Sequence, residues 1–323
     1  MTDANIGLML TTTLKEYRDT LTDNIHGSNA VFFALKDAGA IKIDNGGERI
    51  VEPLMYGKNE TAKSYSGYDE LDTTPQEGID AAEFNWKQYS ASISISGKEQ
   101  RQNKGKKTKI IDLLQAKTDQ AEMSLRGEMT EGLFSDGTGN GSKDLTGLEA
   151  LVAGTGNTYG GINSTTYDWW RAYVDADSVV VALDDMRHCF NTSSIAGKDH
   201  CNLIVTTQTL FEKYEGLFTA ISASQIAPNF TTPSEGAKRI ADGGFQMLQF
   251  KGQPIVWDES CGSGIMYFLN TKHMKLVVHE DANFETTEFQ KPTKQDALVA
   301  QILWMGNLTT NRRKSFAKMT NKS

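Results

Sequence analysis

The chain is poor in the residues and patterns that most often carry chemistry. Only three cysteines, Cys189, Cys201 and Cys261, occur in 323 residues. An odd and unevenly spaced set of that size builds no disulfide framework, and reduced cytosolic thiols are the expectation. No stretch approaches the roughly 18 apolar residues of a membrane span, so no membrane partner is expected. The opening MTDANIGLML has no positive flank ahead of an apolar core, so it does not read as a secretory signal. A basic excess is missing as well: 33 Lys and Arg stand against 41 Asp and Glu, a net charge of −8. That balance argues against a dedicated reader of nucleic acid.

Catalytic signatures are equally scarce. No Gly-X-Ser-X-Gly elbow is present, and His26, His188, His200, His273 and His279 each lack a nearby Ser or Cys in a nucleophile context. Gly137-Thr138-Gly139-Asn140-Gly141 follows a predicted helix instead of leaving a strand, so it fails as a dinucleotide fingerprint. Gly141-Ser142-Lys143 lacks the Gly-Lys-Ser/Thr order of a phosphate cradle. The pairs His188-Cys189 and His200-Cys201 are adjacent residues whose side chains diverge, and no further ligand pair supports a zinc site. The expectation is a protein that is not an enzyme, with no catalytic residues, metal or cofactor.

What is present is a long helix. Residues 108–136 contain no proline and place Ile111, Leu114, Thr118, Ala121, Leu125, Met129 and Leu133 in steps of three or four, one stripe of a 3.6-residue helix. Gly127 and Gly132 weaken it by about 1 kcal/mol each relative to Ala, so packing must hold it. At 1.5 Å per residue it is a rod of about 42 Å, long enough for the rest of the chain to lean on.

Before that rod, residues 1–40 read as an arm. Leu14, Tyr17, Leu21 and Ile25 share one helix face, and Ser28 is placed to cap a second helix through Val31, Phe32 and Leu35 that Gly39 stops. This apolar surface lies either on the chain's own core or on a neighbouring subunit. Ile50–Tyr56 is a strand candidate, with Pro53 pointing to an edge. Phe84–Ser96 is another, in which Ala91, Ile93 and Ile95 alternate with serines while Phe84 and Trp86 sit on the opposite parity, which predicts a bulge or strong twist near Lys87-Gln88. The acidic span between them (Glu60, Asp69, Glu70, Asp72, Glu77, Asp80, Glu83) is too long for a compact loop and fits a projecting two-stranded arm. Lys98, Arg101, Lys104, Lys106, Lys107 and Lys109 then lead into a helix that ends in Glu128, Glu131 and Asp136, a polarity opposed to the macrodipole. One reading pairs the acidic arm of one subunit (Glu70, Asp72, Glu77) with the basic helix start of another (Lys104, Lys106, Lys107); the other is a solvated basic linker.

Beyond a glycine-rich loop around Leu148–Val152, the chain from Ala176 reads as a compact α/β unit. Val180, Leu183, Met186 and Phe190 form a helix stripe, Leu203-Ile204-Val205 a buried strand, and Leu210–Phe218 a further helix. Residues 220–244 read as loop, Gln246–Trp257 as a hairpin turning near Gly252, and Ile265–Leu269 and Lys275–Val278 as strands. Ala297–Leu308 is apolar on both parities, so it is expected to be covered on both faces. It exits through Arg312-Arg313-Lys314, a basic tail that either touches phosphates by counterion release or pairs with acidic residues.

In this order of parts the chain resembles the major capsid protein of tailed bacteriophages, whose fold encapsulin shells share. The passages that carry the resemblance are FNWKQYSASISISGKE with the helix after it, GLEALV…TYGGIN…DWWRA, and HEDANFETTEFQKPTKQDALVAQILWMGNLTTNRR. The resemblance implies an α+β fold: an N-terminal arm (1–47), an extended β-hairpin loop (48–98), a peripheral domain (99–175) with its spine helix (108–136), an axial domain (176–278), and peripheral returning strands (279–323). It implies self-assembly as hexamers and pentamers into an icosahedral phage head, in the virion, around double-stranded DNA held without sequence specificity. A portal and, because only about 40 residues precede the loop, a separate scaffolding protein are the implied partners, with assembly in the host cytoplasm. An encapsulin-like compartment is the alternative.

Overall fold

A computed structural model of the protein describes residues 29–102, 107–177, 179–195, 197–222 and 247–322. The first element is α1 (Ala30–Asp37), and Asn29 caps it, its side chain accepting from the backbone N–H groups of Val31 at 2.8 Å and Phe32 at 3.4 Å. Ser28, the cap expected from sequence, lies outside the described residues, as does the helix expected through Leu14–Ile25. Gly39 ends α1 with a left-handed φ of +62°. Val31, Phe32 and Leu35 are fully buried in the chain's main core, so this part of the arm packs at home and needs no neighbour.

Four strands follow: β1 (Ile41–Asp44), β2 (Ile50–Met55), β3 (Ile79–Phe84) and β4 (Lys87–Ser96). The parity change expected as a bulge within one strand is instead a change of sheet. The chain breaks at Asn85-Trp86, with β3 pairing back to β2 in a two-stranded ribbon and β4 entering a different sheet. Ala82 and Phe84 on one strand and Ile93 and Ile95 on the other are nevertheless buried in the same core. The ribbon proper spans residues 50–84, and residues 87–96 belong to the body.

After the short α2 (Gly97–Gln102), the spine helix α3 runs Lys107–Phe134. Leu114, Thr118, Ala121, Leu125, Met129 and Leu133 are all buried, so the stripe read from sequence is the face that packs. Then come α4 (Leu148–Leu151), the small hairpin β5 (Thr158–Tyr159) and β6 (Ile162–Asn163), β7 (Tyr173–Asp175), α5 (Leu183–Thr192), β8 (Leu203–Thr206) and α6 (Gln208–Ser222). Val180 lies before α5 and is exposed; Val181 and Cys189 are buried with Met186 and Phe190. The span expected as loop at 220–244 lies, from 223 on, outside the described residues. β9 (Met247–Phe250) and β10 (Gln253–Trp257) form the expected hairpin, turned by Lys251 and Gly252 at φ +50° and +79°, both left-handed as a tight primed turn demands. β11 (Met266–Leu269), β12 (Met274–Thr286), β13 (Ala297–Thr310) and β14 (Ala317–Met319) close the chain.

These strands make a four-stranded sheet in the order β1-β12-β13-β4 and a six-stranded sheet in the order β7-β14-β11-β8-β10-β9. The spine helix, α1 and the four-stranded sheet share the larger core, and α5, α6 and the six-stranded sheet enclose the smaller one. Sheet membership crosses the expected division at 278/279 twice: β12 joins the first sheet from Met274, and β14 returns to the second. The first half of β13 alternates, with Ala300 and Ile302 buried around an exposed Gln301, and only its second half is buried on both faces.

Of the basic tail, Arg312 and Lys314 are exposed and Arg313 is not. Arg313 is fully buried, and its guanidinium donates to main-chain carbonyls of Leu151 (2.9 Å), Ala150 (2.9 Å), Trp170 (3.1 Å) and Ala153 (3.2 Å) and to Asn157 Oδ1 (3.2 Å). The acidic partners expected for this tail are met instead by Lys318, 2.6 Å from Glu149, and by the buried Lys322 ammonium beside Asp175 and Asp185 at 3.0 and 3.1 Å.

Candidate assembly surface

Among the described residues the β2–β3 ribbon and its loop carry most of the exposed large apolar side chains, and the two faces of the ribbon differ. Register places Ile50 opposite Phe84, Glu52 opposite Ala82 and Leu54 opposite Asp80 on the inner face. Of these, all but Asp80 are buried. The stem of the expected projecting two-stranded arm is thereby seated on the chain's own body. Glu52 Oε2 lies 2.7 Å from Lys275 Nζ of β12, and Thr309 Oγ1 of β13 donates to its other oxygen at 3.1 Å. Glu83 N–H donates to Gly160 O at 3.0 Å, and Gly160 (φ +59°) lets β5–β6 approach, since a Cβ there would meet Ala82 and Phe84 at under 3 Å. At the far end of the stem Tyr56 stacks on Trp169 with ring centroids 4.5 Å apart.

The outer face has no such cover. Val51, Pro53 and Met55 stand opposite Glu83, Ala81 and Ile79. Val51, Met55 and Ile79 are 56%, 84% and 77% exposed, and Met55 faces Ile79 directly. Beyond Gly57 and Gly78, residues 58–77 form an exposed loop that adds Tyr65, Tyr68 and Leu71 to the apolar surface. Local hydrogen bonds shape it: Asp72 Oδ1 accepts from Thr74 N (3.0 Å) and Oγ1 (2.6 Å), which holds its carboxyl below the usual range, and Asp69 accepts from Ser66 N at 2.8 Å.

Glu70, Asp72 and Glu77, the acidic half of the charge pairing read from sequence, are all exposed on this loop. Lys104 and Lys106 lie outside the described residues, and Lys107 opens the spine helix. The apolar outer face was not singled out from sequence. IVEPLM alternates, but alternation alone cannot say which parity turns inward until the partner strand is known.

The residues weighed for chemistry are occupied structurally. Cys189, Cys201 and Cys261 are buried free thiols, and burial pushes Cys189 and Cys261 up to about 12. His200 stacks on Phe190 and bonds Ser194 Oγ at 2.7 Å, while His188 packs edge-on to Tyr173. Among the described residues no group of three or more His, Cys, Asp or Glu is arranged to hold a metal ion, and no helix is long and apolar enough to cross a membrane.

No protein-family model and no curated protein matches the sequence. Solved structures do match the fold. The capsid of cyanophage A-1(L) superposes with a TM-score of 0.62 over 88% of this chain and 90% of that one, at 14% identity. The chain has the tailed-phage capsid fold. The capsid of Myoviridae phage XM1 also shares this capsid fold, with a TM-score of 0.54, 88% and 90% coverage and 10% identity. So does the SrpI encapsulin of Synechococcus elongatus PCC 7942, at 0.51, 81%, 93% and 10%. For the two phage capsids the match covers close to nine-tenths of this chain and of theirs.

Proposed function

We propose that this chain is the shell-forming major capsid protein of a tailed phage. It assembles with copies of itself as hexamers and pentamers into an icosahedral head, in the virion, enclosing double-stranded DNA without reading its sequence. It does no catalysis and carries no cofactor. A separate scaffolding protein and a portal serve its assembly in the host cytoplasm. The spine helix and four-stranded sheet act as the peripheral domain, and the six-stranded sheet with α5 and α6 as the axial domain. The observation that carries this reading is the combination of the capsid fold with a ribbon whose outer face is apolar and uncovered. A patch of one subunit set against a different patch of the next makes a heterologous contact, which closes into rings. Interlocked ribbons would make the large interfaces, roughly 2,000 Å² or more, of obligate assemblies.

The likeness to the SrpI encapsulin supports a second reading, a protein compartment with the same shell. Negative-stain microscopy and sedimentation of the full chain, expressed alone and with a scaffolding protein, test both. Closed shells are the expected result. Nuclease-protected DNA in native particles supports the head, and a co-purifying enzyme cargo the compartment. A chain that stays a small soluble oligomer under both conditions overturns the shell.

A further inference from the structure

Among the described residues the four-stranded sheet ends on one side in β4, which pairs with β13 along one edge and with no strand along the other. A free edge is a row of main-chain donors and acceptors ready to pair, and folded proteins blunt it with charge, proline, a bulge or a very short strand. β4 has none of these. It is ten residues long, carries no charge or proline from Gln88 to Ser96, and keeps step with β13 from Lys87 to Ser96 without a bulge. The edge strands β1, β7 and β9 of the two larger sheets are only three or four residues long. On β4, Ser90, Ser92 and Ser94 are exposed.

A groove runs along that edge. Residues 89–94 of β4 form one wall, and Lys117, Gln120, Ala121, Ser124, Leu125 and Glu128 of the spine helix form the other, with no residue of β13 between them. Helix and strand run antiparallel. Lys117 lies at the Ser96 end, 3.9 Å from the Glu99 carboxylate that accepts from Ser96 N at 2.9 Å. Glu128 lies at the Tyr89 end, one turn before Gly132, which closes on the Tyr89 hydroxyl. Leu145 N donates to that hydroxyl at 2.9 Å and fixes this end. From end to end the helix wall therefore reads cation, small residues, anion. A half-turn about a line through Ser92 exchanges the two ends, so the wall is complementary to a copy of itself: Lys117 comes opposite Glu128, and Ala121 opposite Ser124.

We propose that a second copy of this chain occupies the groove through a twofold contact, the two β4 strands pairing antiparallel along their free edges. Ser92 then stands opposite Ser92 and Ser90 opposite Ser94. The two four-stranded sheets become one sheet of eight strands, with the spine helices side by side beneath it. The small side chains of Ala121 and Ser124 let the helices approach at the centre, and a Lys117–Glu128 pair closes each end. Such a contact is isologous, the same patch on both copies. It is distinct from the head-to-tail contact proposed for the ribbon, and either one can fail without the other. Rings closed by the ribbon contact and joined to one another by this one would extend into a surface.

The test is sedimentation velocity of the full chain with Val51, Met55 and Ile79 replaced by serine, so that the outer face of the ribbon adds nothing to association. A monomer–dimer equilibrium is expected at concentrations up to about 0.1 mM. Lys117→Glu and Glu128→Lys each set like charges together at both ends of the dimer, and each is expected to weaken it at least about tenfold. The double variant exchanges the signs and is expected to return to within about threefold of the parent. Only a partner that is itself a copy gives that recovery. Ser92→Lys places two cations face to face at the twofold and is expected to abolish the dimer while leaving the thermal melt unchanged, as for other exposed positions. A chain that stays monomeric over that range overturns the proposal. So does a double variant as weak as the singles, which would assign the groove to a different partner.

Discussion

A guanidinium inside a protein is costly unless its N–H groups are used, and Arg313 uses them almost entirely on main-chain carbonyls. Those carbonyls belong to the last turn of α4 (Ala150 and Leu151), whose carbonyls a helix end leaves unpaired, to Ala153 just after it and to Trp170. Tyr159 lies under the guanidinium at 5.1 Å, adding a cation–π contact. Burial lowers the pKa to about 10, so the group stays charged at neutral pH. Arg313→Met would strand several buried acceptors at about 1–3 kcal/mol each, so a loss of more than about 3 kcal/mol is expected in urea unfolding of the dispersed chain. Arg313→Lys should recover little of it, because one ammonium cannot reproduce a planar fork of donors. In sequence, Arg312-Arg313-Lys314 is indistinguishable from a surface tail. The pockets that bury Arg313 are assembled from residues about 150 positions away, and no local signal announces them.

At the scale of elements, the spine helix was legible because its signal is local: every third or fourth side chain of one segment marks the face that packs, wherever the partner comes from. The ribbon was half legible. Its strands declared themselves, but the switch at Asn85-Trp86 looked like a bulge, since parity within a segment reports that the inward face changes and not which sheet receives it. Gly127 and Gly132 show the same division between local and distant causes. Both read as equal weaknesses of a helix. Around Gly127 a Cβ would meet nothing, whereas at Gly132 it would strike the Tyr89 hydroxyl and lie 3.3 Å from Leu145 Cβ. Gly127→Ala should therefore stabilise the chain by about 0.5–1 kcal/mol through helix propensity. Gly132→Ala should destabilise it by about 1–3 kcal/mol through overpacking and loss of the Tyr89–Leu145 bond. Thermal melts of the two variants with opposite signs check this, and a shared sign would mean that helix propensity or packing alone governs both positions.

For the molecule as a whole the question is which surfaces are finished within one chain and which wait for another. The ribbon divides along its pleat: Ile50, Glu52 and Leu54 complete the chain's own core, while Val51, Met55 and Ile79 contribute nothing to it. Replacing the outer three with serine should leave the stability of the dispersed chain within about 0.5 kcal/mol of wild type, as for other surface changes. The same triple variant removes apolar area worth about 1.5–3 kcal/mol per large side chain at every contact that buries it. With 1.4 kcal/mol per factor of ten, the association constant per contact should fall by about three to six orders of magnitude. Because a closed shell multiplies that loss over all its copies, light scattering and microscopy should show folded subunits and no particles at concentrations where the wild type assembles. Leu54→Ser is the matching control on the seated face, expected to lose about 2–4 kcal/mol of fold stability by emptying a core position. Shells formed by the triple variant at the wild-type concentration would remove the outer face from the assembly contacts.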